Sequence, residues 1–95
     1  MITKETMDLN QQAIENVVKQ KIGEIAGQLG EDASELHNND IIPATGLIDS
    51  AGLLELIAWY EDFYQIRLAQ EEITIDNLGT LSTMAEFVLR KKGLV

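Results

Sequence analysis

The stretch that decides the fold is residues 46–64, which read GLIDSAGLLELIAWYEDFY. Its second half spaces apolar residues by three and four positions, the pattern of an amphipathic helix that buries one face. The side chains predicted to form that buried face are Leu53, Leu56, Ile57, Tyr60 and Tyr64. The helix starts at the dipeptide Asp49-Ser50, since aspartate and serine are both strong N-cap residues. The sequence therefore predicts a core helix that carries a serine hydroxyl in its first turn.

Asp49 and Ser50 compete for the N-cap position of this helix. If Asp49 is the cap, Ile48 occupies N′ and Leu53 occupies N4, and the two can pack as a hydrophobic staple. If Ser50 is the cap, the N′ residue is the charged Asp49 and no staple forms. We therefore predict Asp49 as the cap and Ser50 at N1, where its hydroxyl is not needed for capping. An anionic group on that hydroxyl would lie beside unpaired backbone N–H groups at the positive end of the helix dipole.

Two more long helices are predicted, one on each side of this one along the chain. The first is expected to end near Leu29, because Gly30 suits the left-handed position after a helix. Its apolar stripe is Ile14, Val17, Val18, Ile22, Ile25 and Leu29, and its candidate N-caps are Thr3, Thr6 and Asp8. The last helix is expected to start after the N-cap Thr80 and to end at Gly93. Its stripe is Leu81, Met84, Ala85, Val88 and Leu89, and its last turn carries Arg90, Lys91 and Lys92.

The first two helices are joined by a long polar connection, from Glu31 to Ile48, that contains the only proline, Pro43. A weak helical turn is predicted between Glu71 and Leu78. A chain of this length buries only one thin core, so we expect a single domain over residues 1–95. The expected fold is all-α: a small bundle of three main helices plus one short helix, with a long loop between helices 1 and 2.

The net charge of −9 is concentrated in the middle of the chain, where no Lys or Arg occurs from Ile22 through Ile66. Such an acidic surface repels nucleic acid and anionic membranes, and it suits either solubility or docking to a basic partner. The apolar runs are too short to span a bilayer, and the N-terminus lacks a signal-peptide pattern. The absence of cysteine agrees with a reducing compartment. From these observations together we expect a cytoplasmic monomer that binds no nucleic acid and does not insert into membranes.

The chain has few groups that could perform catalysis. Its one histidine, His37, lies in the long loop, and we expect it to be solvated rather than to act as a base for Ser50. The acidic residues of the loop do not follow the ligand spacing of an EF-hand, so no metal site is predicted. The sequence therefore predicts a protein that is not an enzyme.

Residues 46–50, GLIDS, followed by Gly52 and by Glu55-Leu56, resemble the attachment segment of the acyl and peptidyl carrier proteins. They look most like the freestanding aminoacyl carriers of the D-alanyl type, and the resemblance is clearest from about residue 45 to residue 88. It implies an acyl-carrier-like bundle in which Ser50 bears covalent 4′-phosphopantetheine from coenzyme A, with Asp49 capping the helix beside it. The implied partners are a phosphopantetheinyl transferase, an AMP-forming amino acid or acyl ligase, and an acceptor transferase.

In the carrier family the serine-led helix and the loop before it meet the partner enzymes. The resemblance therefore implies a docking face formed by Ala51, Leu54, Glu55, Ala58, Glu61 and Asp62. Two residues depart from the family pattern, since Ala51 is smaller than the leucine or aromatic residue common there and Ala69 stands where proline is common. Trp59 and Phe63 are expected to form a second edge of the core, and the alternative is an exposed aromatic patch for a partner.

The expected function is that of a carrier that holds an activated amino acid as a thioester on 4′-phosphopantetheine at Ser50 and delivers it to partner enzymes. One alternative is a fatty-acyl or polyketide carrier, which an interior wide enough for a lipid chain would favour. Another alternative is an unmodified helical interaction module that has kept the carrier fold. The load on the native protein distinguishes these three hypotheses.

Overall fold

The computed structural model describes residues 9–94, which form only helices, turns and loops. The helical elements are α1 (Gln11–Gln28), α2 (Ile42–Thr45), α3 (Ser50–Tyr64), a 3-10 turn (Gln70–Glu72), α4 (Ile75–Leu78) and α5 (Leu81–Lys91). The predicted all-α fold with three main helices is confirmed by α1, α3 and α5. The weak turn predicted between residues 71 and 78 is present as the 3-10 turn followed by α4.

The start of α1 differs from the sequence-based expectation. The side chain of Asn10 accepts the N–H of Ala13 at 2.8 Å, which makes Asn10 the N-cap. The candidate caps Thr3, Thr6 and Asp8 lie outside the described residues. Asparagine caps a helix as well as aspartate or serine does, and this asparagine lies closest to the start of the apolar stripe. The residue that caps α1 was therefore not among the predicted caps.

The end of α1 follows the prediction, because Leu29 is the C-cap and Gly30 has a left-handed φ of 77°. The N–H of Glu31 donates to the carbonyl of Ala26 at 2.8 Å, which completes a Schellman motif. The prediction that Leu29 belongs to the buried stripe is wrong, because its side chain is 47% exposed. The chain turns away from the core at Gly30, and the fully buried Ala26 closes this end of the stripe instead.

The predicted long loop between helices 1 and 2 contains a short helix, α2, that was not expected from the sequence. Pro43 lies in its first turn, where its missing N–H breaks no helical hydrogen bond, and Gly46 ends it with a left-handed φ of 76°. Ile42 is fully buried, and its N–H donates to the carbonyl of Gly79 at 2.7 Å. This bond ties the connection to the junction between α4 and α5.

The core lies between α1, α3 and α5. Its buried residues on these helices are Ile14, Val18, Ile22, Ile25, Ala26, Leu56, Tyr60, Tyr64, Leu81, Met84, Ala85, Phe87, Val88 and Leu89. The face predicted for α3 is buried at Leu56, Tyr60 and Tyr64, whereas Leu53 and Ile57 are only half-buried. These two line a cavity next to α4, so fewer side chains cover them.

Tyr60 fixes α3 to α5. Its hydroxyl donates to the carbonyl of Met84 at 2.7 Å from a fully buried position. Burial raises the pKa of Tyr60 well above its usual value, so the phenol keeps the proton that it donates. The ends of α5 agree with the sequence, since Thr80 Oγ1 accepts the N–H of Thr83 at 3.0 Å and Gly93 has a left-handed φ of 71°.

Candidate functional site

Ser50 is the first residue of α3, and it is exposed. The carboxylate of Asp49 accepts the N–H of Gly52 at 2.8 Å, and the backbone carbonyl of Asp49 accepts the N–H of Leu53 at 2.9 Å. Asp49 is therefore the N-cap of α3, as the staple argument predicts. Within residues 9–94 the hydroxyl of Ser50 has no hydrogen-bond partner. The hydroxyl is thus accessible, and it makes no hydrogen bond within the described residues.

The segment before α3 directs the serine to the surface. Thr45 Oγ1 donates to the carbonyl of Ile42 at 2.7 Å and accepts the N–H of Leu47 at 3.2 Å, which closes the turn around Gly46. Ile48 follows and is only 6% exposed, so it anchors the chain in the core immediately before α3 begins. A buried anchor next to an exposed cap leaves the first turn of α3 on the outside of the bundle.

Gly52 lets the first turn of α3 lie close against α1. A Cβ atom at this position would be 2.9 Å from Ile25 Cγ2 and 3.2 Å from Ile48 Cβ, both closer than ordinary van der Waals contact. Glycine is otherwise a poor residue inside a helix, so its presence in the first turn is explained by this close approach. The contact sets the distance between α1 and the turn that carries Ser50.

Two adjoining spaces lie beside Ser50. The outer one is a groove of about 290 Å³ lined by Pro43, Ile48, Asp49, Ser50 and Leu53. The inner one is an apolar pocket of about 130 Å³. Its lining residues are Pro43, Leu53, Leu56, Ile57, Ile73, Thr74, Ile75, Leu78, Gly79 and Met84. Pro43 and Leu53 belong to both linings, so the groove at the serine borders on the cavity under α4.

The start of α3 is electrostatically suited to an anionic substituent. The backbone N–H groups of Ser50 and Ala51 have no acceptor within residues 9–94. Unpaired N–H groups and the aligned peptide dipoles give a helix N-terminus a partial positive charge. A phosphodiester on Ser50 Oγ would therefore be stabilised by the backbone, although the chain as a whole is acidic.

The predicted docking face is exposed except at one position. Ala51, Leu54, Glu55, Ala58 and Asp62 are exposed, and Leu54 is the most open large apolar side chain in the described residues, at 70%. Glu61 differs, because it is half-buried and its carboxylate accepts the N–H of Leu68 at 2.9 Å. Glu61 therefore also holds the loop after α3, which sets it apart from the exposed residues of the predicted docking face.

The expectation that Trp59 and Phe63 form a second core edge is correct for only one of them. Trp59 is half-buried and packs against the core. Phe63 is 54% exposed, so the prediction is wrong for this residue. One turn beyond Trp59, Phe63 stacks on that indole and presents its other side to solvent.

Three other features of the described residues bear on the sequence-based expectations. His37 is 80% exposed and its Nδ1 lies 3.6 Å from a carboxylate oxygen of Asp40, as expected for a solvated loop histidine. Between residues 9 and 94 no cluster of three or more histidine, aspartate or glutamate side chains is placed to hold a metal ion. In the same part of the chain, every helix is too short or too polar to cross a bilayer.

The wall of the apolar pocket opposite α3 was not predicted from the sequence. Pro43 forms one part of this wall, and the other part, beyond α3 in the chain, is formed by Ile73, Thr74, Ile75, Leu78 and Gly79. The local pattern of both parts is that of a loop and a weak turn, so no periodicity marks them. The hydrogen bond between Ile42 and Gly79 links the two segments.

The chain was compared with protein-family models, with curated proteins and with solved structures, and none of the three comparisons finds a match.

Proposed function

We propose that this protein is a carrier that holds an activated amino acid as a thioester on 4′-phosphopantetheine attached to Ser50 and delivers it to partner enzymes. The observation that supports this function best is the position of Ser50, which is exposed at N1 of α3. Its hydroxyl is not needed for capping, because Asp49 is the N-cap. The second support is the resemblance of residues 46–56 to the attachment segment of carrier proteins. The protein itself would not be a catalyst.

The residues around Ser50 fit a phosphopantetheine group. Ser50 Oγ would carry the phosphodiester. The unpaired N–H groups of Ser50 and Ala51 lie at the N-terminus of α3, where the helix favours a negative charge. Pro43 and Leu53 line the groove next to the hydroxyl and offer apolar contact to the arm. The thiol at the end of the arm supplies the thioester linkage to the cargo.

Attachment would be a substitution at phosphorus. The Ser50 hydroxyl oxygen forms a bond to the phosphorus of coenzyme A that bears the pantetheine, and the bond from that phosphorus to the adenosine bisphosphate leaving group breaks. The serine proton passes to a base of the phosphopantetheinyl transferase. An AMP-forming ligase would then load the amino acid, and an acceptor transferase would remove it.

The benefit of such a tether is a high local concentration. A linked group meets a docked active site far more often than the same group free in solution does. Since the cargo stays attached between two enzymes, an activated intermediate is not lost by diffusion. Ser50 contributes the anchor, and the partner enzymes would perform the chemistry.

The apolar pocket beside the serine suits a small cargo. Its volume is about 130 Å³. An engineered apolar cavity of roughly 150 Å³ in another protein holds one benzene molecule, so this pocket would accommodate a short amino acid side chain. Because the pocket is open and adjoins the groove at Ser50, the choice of an aminoacyl over a fatty-acyl or polyketide cargo rests on the resemblance of residues 46–56 to the aminoacyl carriers.

Attachment is tested by incubating the protein with coenzyme A and a broad-specificity phosphopantetheinyl transferase and measuring intact mass. We expect wild type to gain one phosphopantetheine group and Ser50→Ala to gain none. Ser34→Ala is the matched control, because it removes another exposed serine and should be modified like wild type. No gain in wild type, or an equal gain in Ser50→Ala, would overturn the assignment of Ser50 and leave an unmodified interaction module.

The cargo is tested separately on protein isolated from its host. Mass spectrometry under conditions that preserve thioesters should show an aminoacyl group on the arm. A long acyl group would contradict the aminoacyl cargo while leaving the attachment site intact. Native protein with a free serine would contradict the carrier function itself.

A further inference from the structure

Three supports of the first turn of α3 meet at Gly52. Its N–H donates to the carboxylate of Asp49 at 2.8 Å, which is the capping bond of the helix. A Cβ atom added to this glycine would lie 2.9 Å from Ile25 Cγ2 on α1 and 3.2 Å from Cβ of the buried Ile48. It would also lie 3.3 Å from the capping oxygen of Asp49. The cap, the anchor before the helix and α1 therefore converge on one glycine, two residues after Ser50.

The neighbours of Gly52 cannot move aside for a larger residue. Ile25 is 2% exposed, and its Cγ2 methyl branches directly from Cβ, so it can swing away only by leaving the χ1 rotamer that a helix strongly prefers. The approached atom of Ile48 is its Cβ, which moves only with the backbone. Carbon atoms in ordinary contact are about 3.5–4.0 Å apart. A side chain at position 52 would therefore displace the first turn of α3 from α1 by about 0.5 Å.

This displacement would reach the serine. Ser50 and Gly52 belong to the same first turn of α3, and the Asp49 cap joins the residues on either side of Ser50. The Ser50 side chain is exposed, and its hydroxyl makes no hydrogen bond within residues 9–94 that could hold it in place. The position of this hydroxyl is thus set by the backbone of the turn, and the contact of that backbone with α1 is made at Gly52.

We propose that the contact between Gly52 and Ile25 is a positioning contact for Ser50, which holds the hydroxyl where a docked phosphopantetheinyl transferase can use it. This inference rests on the proposed function. Ile25 lies on α1 and is buried, so it acts on Ser50 only through Gly52. A reacting oxygen has to lie within about 0.5 Å of its productive position, and a misplacement of about 1 Å can cost a hundred-fold in rate. The contact would therefore control the rate of attachment without touching the transferase.

The first test compares Gly52→Ala with Gly27→Ala. Phosphopantetheine is transferred from coenzyme A by a broad-specificity transferase, the carrier concentration is varied, and the product is measured by intact mass. For Gly52→Ala, kcat should fall about ten-fold while KM changes by less than about two-fold, because the exposed residues that the transferase meets are unchanged. Gly27→Ala is the matched control and should react like wild type, since a Cβ atom at this exposed helical position meets nothing within 4 Å.

The split between kcat and KM separates positioning from a loss of folding. Partial unfolding would lower the concentration of folded carrier, which raises the apparent KM and leaves kcat unchanged. Urea unfolding of each variant gives the folded fraction directly. A kcat equal to that of wild type, or an effect on KM alone, would overturn the positioning role. Wild type that accepts no phosphopantetheine would instead overturn the proposed function, on which this inference rests.

The second test asks whether Gly52 acts through Ile25. Ile25→Ala removes the Cγ2 methyl that the new Cβ would meet, whereas Ile25→Val keeps it. Added to Ile25→Ala, Gly52→Ala should lower kcat by only about three-fold, and added to Ile25→Val by about ten-fold. Equal losses in both backgrounds would overturn the role of Ile25. If Ile25→Ala does not fold, the comparison of Gly52→Ala with Gly27→Ala still decides whether the glycine positions Ser50.

Discussion

The first turn of α3 and the buried side of the same helix are built in different ways. At the first turn, the Asp49 carboxylate caps an N–H three residues later and leaves Ser50 exposed. On the buried side, Leu56 is 1% exposed and Tyr60 is fully buried, with its hydroxyl bonded to α5. Hydrogen bonds between near neighbours define the first region, and contacts between distant segments define the second.

This difference explains how one helix can be both a structural and a functional element. Packing of the middle of α3 fixes the helix in the bundle, and the Asp49 cap and the close contact of Gly52 with α1 define the shape of its start. Substitutions of the exposed Ser50 should therefore alter chemistry with little effect on stability. Substitutions on the buried side should have the opposite effect. Three predictions test this division, in order of expected size.

The largest effect is expected from Leu56→Ala compared with Leu54→Ala. Leu56 is 1% exposed and Leu54 is 70% exposed, although they lie two residues apart on α3. Loss of the buried side chain should lower the free energy of unfolding by about 2–5 kcal/mol, because it removes apolar contact and leaves a cavity. The exposed leucine should change it by less than about 0.5 kcal/mol. Urea unfolding measures both, and similar losses would show that the two sides of α3 are not distinct.

A smaller effect is expected at the cap. Asp49→Ala removes the acceptor of the Gly52 N–H and should lower the free energy of unfolding by about 0.5–2 kcal/mol. Asp49→Asn keeps a capping oxygen and should retain most of the wild-type stability. Urea unfolding of the two variants separates capping from charge. If Asp49→Asn is as unstable as Asp49→Ala, the charge of Asp49 is what matters at the start of α3.

The smallest effect is a pH dependence at the 3-10 turn, which combines a local and a distant contact. The carboxylate of Glu72 accepts the N–H of Ala69 at 2.8 Å and lies 3.0 Å from Nζ of Lys91. The Ala69 N–H, followed by Lys91, lowers the pKa of Glu72 below its usual value of 4.5. A lowered folded-state pKa adds stability above the unfolded-state pKa, and this stability is lost as the pH falls through the folded-state value.

Glu72→Gln should therefore be less stable than wild type at neutral pH, and the difference should shrink as the solution is acidified. Thermal unfolding at a series of pH values measures this. Glu71→Gln is the matched control, since it removes a carboxylate from the same turn and should show a smaller pH-dependent difference from wild type. A difference for Glu72→Gln that is constant with pH would mean that the ionised carboxylate does not support the turn.

The parts of the fold that follow from the sequence are those set by near neighbours. Gly30 ends α1, Thr80 caps α5, and Asp49 rather than Ser50 caps α3, each through bonds that span a few residues. The helix α2 was not predicted, because a four-residue helix is too short to show a periodicity. Its signal was the proline in the first turn together with Gly46 after the last.

The exposure of single side chains was harder to predict than the helices were. Phe63 and Leu29 both continue an apolar spacing, yet both are about half exposed. Spacing shows which residues share a face of a helix, but not how far the neighbouring helix extends along it. Glu61 shows the same limit, because its partner is the Leu68 N–H in a loop whose path the spacing does not specify.

The sequence by itself determined the three main helices, the caps of α3 and α5 and the freedom of the Ser50 hydroxyl, since these depend on residues within one or two turns of each other. Only the tertiary structure decided the space beside the serine and the groove between α1 and α3. The cavity forms where Ile42 bonds to Gly79, and the groove forms where Lys21 of α1 meets Trp59 of α3. Both depend on the packing of segments that are distant in the chain, which local patterns do not encode.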